Sequence, residues 1–146
     1  MTTEPSANRV GADRVEKGSE LPSRTHRFTR ADLVRYAGAS GDFNPIHWSD
    51  RVASAMGLPG VIVHGMFTMG VAVGMVSDWA GGPDRVISCR TRFTKPIVVP
   101  DDAEGVEISI TGRVTAVDGP HVTVAVDVRC DDDKVLGATV VEVRRG

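Results

Sequence analysis

From Val52 to Ser77 the chain carries no lysine, arginine, aspartate or glutamate. The second part of that stretch, His64 to about Trp79, holds Met66, Met69, Val73 and Val76 with few polar interruptions, so a helix here is apolar all round and has to be wrapped by other structure. Pro59 and four glycines between Gly57 and Gly70 break the stretch as a single span. The helical part is roughly 24 Å long at ~1.5 Å per residue, short of the ~30 Å of a bilayer core. The segment is therefore read as a helix buried inside a fold. Gly70 and Gly74 in that helix are expected to permit close approach of a covering sheet.

The cover must come from the remaining residues. Ile87, Cys89, Thr91 and Phe93 alternate with Ser88, Arg90 and Arg92; Val106, Ile108 and Ile110 alternate with Glu107, Ser109 and Thr111; Val122, Val124, Val126 and Val128 alternate with Thr123, Ala125, Asp127 and Arg129. This period of two marks strands with one buried face. Asp118-Gly119-Pro120 and Asp131-Asp132-Asp133-Lys134 supply turns, and a last strand over Leu136–Val143 loses its alternation at Val140-Val141, where a bulge is expected. One buried helix followed by four antiparallel strands is an α+β arrangement with a curved sheet around the helix. With 146 residues there is room for one such domain. Aromatic residues are 5%, so the core is built from Val, Ile, Leu, Met and Ala.

Ahead of the helix, residues 1–17 read as a flexible N-terminal tail, with order expected from near Glu20 and a single domain over 18–146. Thr25–Phe28 is a short strand candidate. Thr29 and Asp32 have the spacing of a capping box, which predicts a helix over Arg30–Ala37 ended by Gly38 and Gly41. Ser49 is a second N-cap candidate before Val52, Ala53 and Met56, with Gly57 as the stop. A net charge of −2 argues against a nucleic-acid binder that works by neutralising phosphates. Cys89 and Cys130 cannot form a disulfide scaffold; without a leader-like apolar run near the N-terminus, a cytoplasmic protein is expected.

The segment that carries chemistry is Tyr36-Ala37-Gly38-Ala39-Ser40-Gly41-Asp42-Phe43-Asn44-Pro45-Ile46-His47. Fully extended, the five residues from Asp42 to His47 would span ~17 Å. Asn44-Pro45 bends the chain, because proline fixes φ and Asn bonds its own backbone in turns. The bend can bring a carboxylate and an imidazole to one side, the pairing that acid–base catalysis near neutral pH uses. The same two residues beside a Gly-Asn-Pro turn also serve as plain turn stabilisers, and residues alone leave both readings open. No metal is expected, since Asp42, His47, Asp50 and His64 lack a tight ligand spacing.

Tyr36 to Ala53 resembles the hydratase-2 motif of the MaoC-like dehydratases: an aromatic, a spacer, Gly41-Asp42-x-Asn44-Pro45, an aliphatic, His47, and a small residue six positions later. Ala39 departs from the family pattern, which has a larger aliphatic there. The resemblance continues through Val63-His64-Gly65-Met66 and Arg92-Phe93-Thr94-Lys95-Pro96, and within the family it is closest to the catalytic B-type subunit of the actinobacterial (3R)-hydroxyacyl-ACP dehydratases. It implies a hot-dog fold, an antiparallel sheet wrapped around one long central helix.

The activity it implies is reversible dehydration of (3R)-3-hydroxyacyl thioesters to trans-2-enoyl thioesters in fatty-acid or related lipid metabolism. Asp42 and His47 are the implied acid–base pair and the Gly65 N–H the oxyanion donor, with Asn44, Pro45 and His64 positioning the loop or touching substrate. No cofactor is implied; the substrate travels on acyl carrier protein phosphopantetheine or on CoA, whose phosphate Arg90, Arg92 and Lys95 are candidates to meet. Met56, Met66, Met69 and Met75 are candidate liners of an acyl tunnel. The implied partners are the carrier protein and a second hot-dog subunit, identical or not, with no nucleic acid and no membrane. The alternatives are a hot-dog thioesterase and a non-catalytic acyl-binding subunit.

Overall fold

The computed structural model describes residues 11–146. Its elements are β1 (Arg24–Phe28), α1 (Arg30–Ser40), α2 (Asp50–Ala55), α3 (Gly65–Ala80), β2 (Val86–Phe93), β3 (Val106–Asp118), β4 (His121–Cys130) and β5 (Asp133–Arg144), with short 3-10 turns at Ala12–Arg14, Pro45–His47 and Pro83–Arg85. The strands form one antiparallel sheet in the order β1-β3-β4-β5-β2. It curves around α3, the hot-dog arrangement that the family resemblance implies.

The period-two pattern becomes burial where it is cleanest. Val122, Val124, Val126 and Val128 on β4 and Ile108, Ile110 and Val114 on β3 all point inward, onto Ala72, Met75, Val76 and Trp79 of α3. Each such aliphatic side chain contributes about 1.5–3 kcal/mol when removed from water. No helix among the described residues is long and apolar enough to cross a membrane.

Five expectations change. The first ten residues of the expected tail lie outside the described residues. Residues 11–17 do not behave as a tail: Ala12 and Val15 are buried in the main core, and Gly18 N–H donates to the Val114 carbonyl at 2.8 Å. Two small apolar residues in a polar segment suffice to anchor it. Helix α1 runs through Gly38 to Ser40 and ends at Gly41, whose φ of 76° supplies the left-handed cap, while Thr29 and Asp32 form the capping box at its start.

On β2, Ile87 and Phe93 are exposed, because register shifts on both sides of Cys89 interrupt the alternation on this edge strand. On β5 the pairing at Val140 and Val141 is regular; extra residues sit earlier, at Val135 and at Gly137-Ala138, where Ala138 has φ 49°. Val135 and Leu136 consequently both turn inward. Gly70 and Gly74 do not meet the sheet: a Cβ on either would touch nothing within 4 Å.

Candidate active site

Each loop residue is fixed by its neighbours. Asp42 N–H donates to the Ser40 hydroxyl at 3.1 Å, Asn44 N–H to the Asp42 carboxylate at 3.1 Å, and Ile46 N–H to the Asn44 side-chain oxygen at 3.2 Å. Asn44 is thus the N-cap of the Pro45–His47 turn, with Pro45 as its first residue. The Trp48 indole N–H closes the loop on the Phe43 carbonyl at 3.0 Å and its ring stays exposed. Tyr36 stacks on Phe67 at 4.5 Å between centroids and lies 4.6 Å from His64.

The bend brings Asp42 Oδ2 to 3.9 Å from His47 Nε2. That is too long for a direct hydrogen bond, and short enough for one oxygen atom to touch both. His47 Nδ1 lies 2.7 Å from the Ile62 carbonyl. A carbonyl only accepts, so Nδ1 carries a proton, and in the neutral ring Nε2 presents a bare lone pair toward Asp42.

His64, fully buried at the N-cap of α3, donates from Nε2 to the Asp42 carbonyl at 3.2 Å, and its buried Nδ1 has no partner among the described residues. Burial, with the neighbouring His47 as a smaller contribution, pushes the His64 pKa below 6.5 against the opposing pull of Asp42. The two imidazoles stack with centroids 3.8 Å apart.

Gly65 opens α3, so its N–H has no partner within the helix and stands at the positive end of the helix dipole. A Cβ here would come within 2.9 Å of the Phe93 ring; the ring rests directly on this glycine. Asp42, His47 and Gly65 line one cavity of about 400 Å³, whose walls are Ile46, Ile62, Val63, Met66, Thr68, the run Phe93–Ile97, Val135 and Leu136.

Asn44, Pro45 and His64 hold the loop from behind and are absent from the cavity lining. Of the candidate tunnel methionines only Met66 lines it; Met75 is core and Met56 is exposed on α2's far end. Lys95 lines it while paired with Asp133 at 2.7 Å, and Arg90 and Arg92 stay exposed on β2. The thiols of Cys89 and Cys130, pushed up by burial, take no part.

Linear spacing did not foresee that Asp42, His47 and His64 bring ligand atoms within 4.8 Å of one another. Near-parallel stacked rings cannot aim two in-plane lone pairs at one ion, and His64 Nε2 already serves a carbonyl. Sequence reasoning also missed the Ile62 carbonyl and the wall provided by Thr68 and Phe93.

A family model described as MaoC like domain matches residues 13–131. The chain belongs to the MaoC-like domain family. It is 37% identical over 112 residues to 3-hydroxyacyl-thioester dehydratase X of Mycobacterium tuberculosis, a match covering 72% of this chain and 39% of that protein. A solved MaoC-like dehydratase superposes with a TM-score of 0.88 at 39% identity over 93% of this chain and 42% of the other. A chain of the ChsH1-ChsH2 complex from Mycobacterium tuberculosis superposes at 0.78 with 27% identity, covering 90% of this MaoC-like chain and 100% of its counterpart. The chain thus spans less than half the length of the first two.

Proposed function

We propose that this MaoC-like chain catalyses the reversible dehydration of (3R)-3-hydroxyacyl thioesters to trans-2-enoyl thioesters. The observation that carries the reading is the convergence of the Asp42 carboxylate, the bare Nε2 of His47 and the Gly65 N–H on one cavity. The reaction needs three services: removal of a weakly acidic C2 proton, protonation of the departing C3 hydroxyl, and stabilisation of enolate-like charge on the thioester oxygen. Asp42 and His47 take up the C2 proton and hand it to the departing hydroxyl. In hydration the attacking water bridges them: its oxygen bonds C3, its released proton passes to one of the pair, and that proton is returned to C2, so the pair ends the turn as it began. Each positioned acid–base group is worth about 10²–10⁴-fold. The Gly65 amide supports the thioester oxygen, a service whose loss costs on the order of 3 kcal/mol.

The names of the relatives favour a hydroxyacyl thioester as substrate. An acyl carrier protein or CoA would present it, with Lys95 at the cavity wall available to its phosphate. A second hot-dog domain, in this or another chain, covers the mouth: Met66 (58% exposed) and Phe93 (56% exposed) face solvent beside the cavity, and Gly70 leaves α3 bare. The length of the longer relatives and the two-component assembly named above support that partner.

The decisive assay follows loss of enoyl absorbance from crotonyl-CoA, with the chain alone and with candidate partner chains. Hydration that falls about 10²-fold or more in His47→Ala and in Asp42→Ala, with folding retained, is expected. Hydration untouched by both changes overturns the mechanism. Release of free CoA reassigns the chain to thioester hydrolysis, and acyl binding without turnover reassigns it to a carrier subunit.

A further inference from the structure

Arg30 and Asp50 form a clamp outside the cavity lining. Arg30, the first residue of α1, donates from Nε to the Val99 carbonyl at 2.7 Å and from its two terminal nitrogens to the Asp50 carboxylate at 3.3 and 2.9 Å. Asp50, the first residue of α2, accepts the Val61 N–H at 3.3 Å on one of the same oxygens. Val61 in turn accepts from Val99 N–H at 2.9 Å. A guanidinium, a carboxylate and two peptide groups therefore close a ring at the end of the short ladder between residues 61–63 and 97–99.

Inside that ladder, Val61 and Val63 bond outward, Val63 N–H reaching the Ile97 carbonyl at 2.9 Å. Ile62, between them, turns its polar groups the other way by the alternation of an extended chain. Its N–H goes to the Ile46 carbonyl at 3.2 Å and its carbonyl takes His47 Nδ1–H at 2.7 Å. Asp50 belongs to the clamp and lies three residues after His47, so the segment that carries the imidazole and the peptide that binds it are tied by the Asp50–Val61 and Ile46–Ile62 hydrogen bonds, the first of them backed by the Arg30 ion pair.

We propose that Arg30 and Asp50 are positioning residues that hold the Ile62 carbonyl against His47 and thereby keep its ring as the Nδ1-protonated tautomer with Nε2 free. The consequence for turnover rests on the dehydratase reading above; the tautomer itself does not. Arg30 suits the task because its planar fork serves the carbonyl and both carboxylate oxygens at once, which a lysine cannot do. A pair with side chains 21% and 59% exposed adds little to stability, so its placement matters more than its strength.

Long-range ¹H–¹⁵N spectra of the side chains test this without substrate. The protein has four histidines, and the His47 signals are identified by their loss in His47→Gln. The unaltered chain is expected to show His47 as a single Nδ1–H form. Arg30→Ala and Asp50→Ala are expected to show a mixture of tautomers, with Arg30→Lys between, and enoyl hydration with kcat reduced about tenfold or more while KM stays within about twofold. Guanidinium ion at millimolar concentration is expected to restore part of the single form in Arg30→Ala.

A single Nδ1–H tautomer retained in both alanine variants overturns the proposal. If either alanine variant fails to fold, Arg30→Lys and Asp50→Asn carry the same comparison. Absence of hydration in the unaltered protein would strike the proposed reaction and leave the spectral result to judge the clamp.

Discussion

The rings of His47 and His64 lie face to face, 3.8 Å between centroids and 20° from parallel. One of them presents a free nitrogen to the cavity; the other is sealed at the N-terminus of the central helix and holds the Asp42 carbonyl. Two imidazolium rings at that separation would repel, and burial holds the His64 pKa below its ordinary value.

Acid stability should report this directly. The folded pKa of His64 lies below 6.5, so on falling pH the unfolded chain takes up a proton that the folded chain refuses. Stability is therefore expected to decline from about pH 6.5 downward until the folded pKa is reached, and to gain nothing from this group above that range. Denaturant midpoints of the unaltered protein and His64→Gln between pH 5 and 8 check it: the difference between them should shrink or reverse on the acid side and stay constant above neutrality.

His64→Gln and His64→Phe should separate the two jobs of this side chain. Glutamine can still donate to the Asp42 carbonyl, whereas phenylalanine keeps the stack on His47 and loses the donor. Hydration of crotonyl-CoA is expected to survive better in the glutamine variant, by about tenfold. Better survival of the phenylalanine variant would show instead that the stack on His47 is what matters.

Gly65→Ala places a methyl group where the Phe93 ring already rests. Overpacking of this kind costs about 1–3 kcal/mol, and adding Phe93→Ala should recover most of the lost melting temperature. Activity should not recover in parallel, because the methyl group also stands over the amide proposed to meet the thioester oxygen.

Two isoleucines with similar sequence surroundings should answer oppositely to truncation. Ile110→Ala removes a side chain with 0% exposure and is expected to cost about 2–5 kcal/mol in urea unfolding. Ile87 is 47% exposed at the sheet edge, and Ile87→Ala is expected to fall within about 0.5 kcal/mol in the isolated chain.

That contrast also marks how far the sequence could be read. Alternation was reliable on β3 and β4, which have neighbours on both sides, since a one-residue slip there would turn a whole apolar face to water. It misled on β2, an edge strand whose irregular pairing leaves Ile87 and Phe93 outside. The capping box of α1 was legible because Thr29 and Asp32 are three residues apart. The persistence of α1 through Gly38 was not, since a glycine in a helix costs only about 1 kcal/mol and tertiary packing overrides it.

At the site, the Asn44-Pro45 bend announced that Asp42 and His47 could meet. The Ile62 carbonyl and the Arg30–Asp50 clamp carry no such local signature, because peptide groups look alike in every residue and the partners of an ion pair are set by topology.

The two irregularities of β5 set the cavity apart from the rest of the sheet. A regular strand offers a hollow only every second side chain, but the extra residue at Val135 lets two consecutive ones, Val135 and Leu136, share the wall. Downstream of Ala138 the strand resumes its even beat and seals the core. Size and contour of the hollow can therefore be retuned at one adjacent pair of positions while the remainder of the strand keeps its fit, so that remodelling the interior need not loosen the scaffold.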